Sequence, residues 1–125
     1  MTQGTKRGRT VFAAMLTGLI GLLLTVSAAL KLFAISPTPG QMETWGLGGW
    51  RVVIGLGEFV SAALFVIPRT AELGTLLLSS YLGGAIVTHM QHGEPFITPS
   101  VVLLAVWTTA LLRLPGLTTR LRGAA

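Results

Sequence analysis

Residues 50–90 read WRVVIGLGEFVSAALFVIPRTAELGTLLLSSYLGGAIVTHM. Apolar side chains run almost unbroken from Trp50 to Ile67 and again from Leu73 to Met90, with Pro68-Arg69-Thr70 between them. Each run has the roughly 17–25 residues that a helix needs to cross a hydrocarbon core about 30 Å thick. Helix is the reading lipid allows, because an isolated strand would leave its backbone groups without partners there. Pro68-Arg69-Thr70 makes a tight reversal, so the two runs are antiparallel neighbours.

The same pattern continues on both sides. A first span runs from Val11 to about Phe33, and a fourth from about Ile97 to Leu114. Ser36-Pro37-Thr38-Pro39-Gly40 ends the first span and opens a polar loop reaching Gly48-Gly49. Gly93-Glu94-Pro95 separates the third span from the fourth, and Pro115-Gly116 stops the last helix. The composition agrees: 51% of the 125 residues are hydrophobic, 10% are charged, and mean hydropathy is +0.74. A soluble domain carries about 25% charged residues. The expected fold is an all-α membrane protein, a four-transmembrane-helix bundle forming one domain over residues 1–125. About 11–114 would be ordered, with headgroup-associated tails at 1–10 and 117–125.

Charge sets the orientation. Lys6, Arg7, Arg9, Arg69, Arg113, Arg120 and Arg122, seven of the nine basic residues, fall on one side of four spans. The positive-inside rule makes that side cytoplasmic, so both termini are expected there, in a multi-pass protein of the cell membrane. Lys31 and Arg51 are the exceptions, at the outer ends of the first two spans. The net charge of +5 does not point to nucleic acid. The basic residues flank apolar runs, where anionic headgroups lie, and the bilayer is the expected partner. Residues 1–29 also resemble a secretory signal ending at Ser27-Ala28-Ala29. That apolar run is long for a signal, and its removal would leave three spans where the charges fit four. The chain has no cysteine, which excludes disulfides, thiol relays and thiolate metal sites.

Ionisable groups inside a membrane are costly and generally face the bundle interior with partners. Glu58 lies near the middle of the second span, and Arg51 precedes it by seven residues, which puts both on one helix face about 10 Å apart. Lys31 and His89 stand near the outer ends of spans one and three, so all four groups belong to the outer half, with His92 and Glu94 just above. One reading is an outward-facing polar cavity with Glu58 at its floor, able to shuttle protons or act as a general acid or base with His89. Lys31, Arg51 and Tyr81 would then line the pocket. The other reading is an internal ion-pair network that holds the helices together. His89 and His92, three residues apart, suit a metal or haem in principle, but two histidines beside a loop are thin grounds, and no metal site is assigned. Trp107, Ser79 and Ser80 read as packing, and Trp45 and Trp50 as interfacial anchors. No phosphate loop, nucleophile triad or dinucleotide fingerprint is present.

Several of these residues carry a family resemblance. Ser27-Ala28-Ala29-Leu30-Lys31 is similar to the small-x-x-Leu-Lys end of the first span in DoxX-like membrane proteins. Arg51-Val52-Val53-Ile54-Gly55-Leu56-Gly57-Glu58 resembles their Arg-x-x-x-Gly-x-x-Glu second span, and Ile67-Pro68-Arg69-Thr70 the turn after it. Leu73-Gly74 and Gly84-Ala85-Ile86-Val87-Thr88-His89 match the third span and its closing histidine. The resemblance covers about residues 11–114 and implies a four-helix membrane bundle, named after a subunit of quinone-linked thiosulfate oxidation. It implies an accessory subunit that contacts a quinone through Glu58 and His89, with an oxidoreductase partner supplying electrons. Two further classes stay open: a non-catalytic scaffold or assembly protein, and a stand-alone acid–base enzyme for a lipophilic substrate. A four-span proton-coupled exporter would need a carboxylate in span one, where there is none. No covalently bound cofactor is expected, and a homo-oligomer is compatible with all three classes.

Overall fold

The computed structural model describes residues 3–123. Four long helices dominate: α1 (Gln3–Leu32), α3 (Arg51–Val66), α4 (Ala71–Gln91) and α5 (Ile97–Arg113). Two short ones join them, α2 (Thr38–Thr44) between α1 and α3, and α6 (Leu117–Leu121) after α5. Single 3₁₀ turns at Gly48–Trp50 and Pro68–Thr70 lead into α3 and α4. α1 packs on α3, α3 on α4, α4 on α5 and α5 back on α1, which closes the four long helices into a ring.

The ring is filled from all four sides. Ile20 and Leu24 of α1, Ala62 and Phe65 of α3, Leu78 and Leu82 of α4, and Val106 of α5 form one buried cluster. The hydroxyls that share this interior are satisfied locally. Thr17, Ser61, Thr75 and Thr109 each donate to the carbonyl four residues earlier, at 2.6–2.8 Å. Such back-bonding removes an unpaired donor from an apolar core. The outer faces are the reverse of a soluble protein's. Leu19 and Leu22 on α1, Phe59 on α3, Leu76 on α4 and Leu104 on α5 are all exposed. Apolar surface that surrounds the molecule in this way needs lipid around it. The protein is a membrane protein. Three helical stretches, Gly4–Leu32, Gly48–Val66 and Pro68–Gln91, are long and apolar enough to cross a bilayer. α5 is apolar but shorter, at 17 residues.

Two close approaches set the helix spacing. A Cβ on Gly74 would run into the Phe65 backbone, so only glycine lets the start of α4 press against the end of α3. A Cβ on Gly55 would stand 3.1 Å from Leu32 and Lys31 side-chain atoms, which marks where α1 and α3 meet. Arginines from neighbouring helices cap three helix C-termini. Arg51 donates to the Lys31 carbonyl of α1, Arg113 to the Phe65 and Val66 carbonyls of α3, and Arg9 to Leu111 O of α5. The last carbonyls of a helix have no partner within it and carry its negative dipole end, so a guanidinium there satisfies both.

Two expectations need correction. The loop after the first span contains α2, because Pro37-Thr38-Pro39 starts a helix where prolines are tolerated, in the first turn. The segments expected as tails also contain helix. α1 begins at Gln3, ahead of Val11, and residues 117–121 fold back as α6. There Leu117 is buried and Arg120 pairs with Glu72, so an apolar anchor and an ion pair hold the return.

Candidate functional site

Arg51, Gly55 and Glu58 lie at i, i+4 and i+7 on α3, which puts them on the face turned to α1. Gly55 lets α1 come close, and Lys31 at the end of α1 then lies between the other two. Lys31 Nζ donates to Glu58 Oε2 at 2.7 Å, while its backbone carbonyl accepts from Arg51. Tyr81 OH of α4 donates to the same Glu58 oxygen, also at 2.7 Å. Lys31 Nζ is further held by Ser27 Oγ at 2.8 Å. The Glu58 side chain is 1% exposed and that of Lys31 14%. A carboxylate so deeply buried is tolerated when a cation and a hydrogen-bond donor face it together. Charge, hydroxyl and backbone thus join three helices at one point.

This cluster forms the floor of a cavity of about 300 Å³. Leu24 and Leu30 of α1, Leu82 of α4 and Val102 of α5 supply apolar walls. His89, two turns beyond Tyr81 on α4, stands higher on the same cavity. Its Nδ1 is 2.7 Å from Ala85 O, and because a carbonyl can only accept, the proton sits on Nδ1. In the neutral ring Nε2 is then the nitrogen left to accept a hydrogen bond from a ligand.

The roof is α2, within the segment expected as a polar loop. Met42 is buried beneath it, and Trp45 at its end meets His89 edge-on, ring centroids 4.9 Å apart, with His92 at 6.1 Å. Trp45 therefore lines the cavity, and Trp50 is exposed. The signal for α2 was present in Pro39 followed by Met42 and Trp45 at helical spacing. The structure brings Lys31, Glu58, Tyr81 and His89 to one cavity. Arg51 serves instead as the cap on α1. Trp107 donates to Ser79 at 2.6 Å, a packing bond between α5 and α4.

A family model described as the DoxX-like family matches residues 15–111, from part-way along α1 through nearly all of α5. The chain belongs to the DoxX-like family. No curated protein and no solved structure matches it. In this DoxX-like protein each of the quoted motifs has a place in the geometry. The lysine that closes α1, the glycine and glutamate of α3, and the histidine near the end of α4 all converge on or beside one cavity.

Proposed function

We propose that this DoxX-like protein is a four-span, multi-pass protein of the cell membrane with both termini in the cytoplasm. Its role is that of an accessory subunit of a quinone-linked oxidoreductase, holding a quinone ring in the Glu58 cavity. The observation that carries this reading is the pairing of Lys31 and Tyr81 on one Glu58 oxygen at the floor of a mainly apolar cavity. Ligand sites in proteins are commonly apolar clefts with a few convergent polar groups.

The residues suit a ring whose oxygens pass between carbonyl and hydroxyl. Of the three Lys31 donors, two go to Glu58 Oε2 and Ser27 Oγ and the third to Ser27 O over a long 3.5 Å, the one a ring carbonyl would take over, and His89 Nε2 would accept from the hydroxyl of the reduced ring. A bound quinone would supply the exchange of electrons and protons. Glu58 and His89 are the groups able to hand a proton in or take one away, and Trp45 shields the ring from water. The topology draws on two supports. Arg9, Arg113 and Arg120 gather at the end of the ring opposite the cavity, as cytoplasmic residues would. At 1.5 Å per residue, the 17 residues of α5 reach about 26 Å, close to the thickness of a hydrocarbon core.

A scaffold role is favoured by another aspect of the same contacts, that the ion pair and hydroxyl tie α1, α3 and α4 together. Purification from native membranes in mild detergent separates the two, with mass spectrometry of co-eluting quinones and proteins. Wild type should carry a quinone or an oxidoreductase subunit, and a folded Glu58→Gln variant should lose the quinone. Wild type that elutes empty, with Glu58→Gln merely less stable, would leave the scaffold reading.

A further inference from the structure

A second cavity, of about 350 Å³, lies between α3 and α4 under the roof of α2. Lys31, Met42, Trp45, Tyr81 and Ala85 border both cavities, so one ridge of side chains is the back wall of each. On its outer side the second cavity is a groove in the bundle surface, where Gly57 of α3 and Ser80 and Gly84 of α4 are exposed. Neither Gly57 nor Gly84 has an atom within 4 Å of where a Cβ would stand, so helix packing does not require their small size. Their effect is to keep the groove open. Its hydroxyls are satisfied on their own helix, since Ser80 donates to Leu76 O at 3.2 Å and Thr88 to Gly84 O at 2.8 Å. What remains toward the lipid is largely carbon.

We infer that this α3–α4 groove holds the hydrocarbon tail of the molecule whose ring occupies the Glu58 cavity. The inference rests on the ligand reading above and adds where the rest of the ligand goes. A ring with substituents fills a cavity of about 300 Å³ and leaves no room there for a long chain. The groove adjoins that cavity along the five residues that line both, and its outer side is open. A tail that leaves lipid for the groove gains contacts rather than escape from water, so its contribution is modest.

The test uses the full chain in one detergent and two probes read by tryptophan fluorescence quenching. One is a tail-less dimethoxy-methyl-benzoquinone, and the other the same head with a decyl chain. The decyl form should bind wild type at least about fivefold tighter. Gly84→Leu and Gly57→Leu, on opposite walls, should each bring the decyl form down to the tail-less affinity while leaving the tail-less probe unchanged. Gly18→Leu, in the separate α1–α3 groove, should alter neither. Equal affinity of both probes for wild type, or decyl binding unaffected by Gly84→Leu and Gly57→Leu, would overturn the groove assignment alone. A loss seen only in Gly18→Leu would do the same by moving the tail to the α1–α3 groove. If neither probe binds wild type, the ring site itself falls, and the tail groove with it. Thermal unfolding of each variant in the same detergent identifies any that fail to fold.

Discussion

Lys31, Glu58 and Tyr81 share one carboxylate oxygen in a place water barely reaches. Removing one member of such a buried pair leaves the other charge without compensation, at a cost of about 3–5 kcal/mol. Replacing every member with apolar groups of similar size removes both the attraction and the burial penalty. Glu58→Leu alone should therefore be strongly destabilised. Lys31→Met/Glu58→Leu/Tyr81→Phe should return to within about 2 kcal/mol of wild type. Thermal unfolding in detergent decides it, and a triple variant no more stable than Glu58→Leu would refute this account of the cluster. Whether the restored triple variant still carries a ligand then separates the cluster's structural work from its chemical work.

The helices owe their spacing to two glycines and their ends to three arginines. Gly74 and Gly84 lie on the same helix, yet a Cβ would strike the Phe65 backbone at the first and meet nothing within 4 Å at the second. Gly74→Ala should cost about 1–3 kcal/mol through overpacking. Gly84→Ala should be neutral or stabilising by up to about 1 kcal/mol, since alanine is the better helix former. The two melting temperatures should move in opposite directions or differ clearly in size, and equal shifts would count against the close α3–α4 approach. The arginines show that charge placed by topology can also be used in packing. Arg9 and Arg113 count toward the positive end and also cap helices, Arg113 lying over the Phe65 ring at 5.5 Å as well.

For the molecule as a whole, the absence of cysteine from the chain makes its topology directly measurable. Single substitutions Glu94→Cys, beyond the end of α4, and Thr118→Cys, in α6, place a thiol at either end of the ring. In intact cells a membrane-impermeant thiol reagent should label Glu94→Cys and spare Thr118→Cys until the membrane is broken. Labelling of both in intact cells would refute four spans with cytoplasmic termini. The same end that Glu94 marks holds the roofed cavity, so labelling of Glu94→Cys alone in intact cells would place that cavity on the outer side.

Long apolar runs, prolyl turns and one-sided arginines were legible from end to end of the chain, because crossing lipid is a demand each helix meets by its own length and composition. They determined that this is an all-helical membrane protein, and the short motifs around Lys31, Glu58 and His89 pointed to its family. Helical period put Arg51 and Glu58 on one face but could not say which would meet the Lys31 ammonium. That depended on how far α1 slides along α3, and the contact at Gly55 decides it. Tyr81 is expected in the pocket from the sequence, but its bond to Glu58, like the place of Trp45 beside His89, comes only from tertiary structure. Their partners lie 23 and 44 residues away in the chain, and no local period connects positions that far apart.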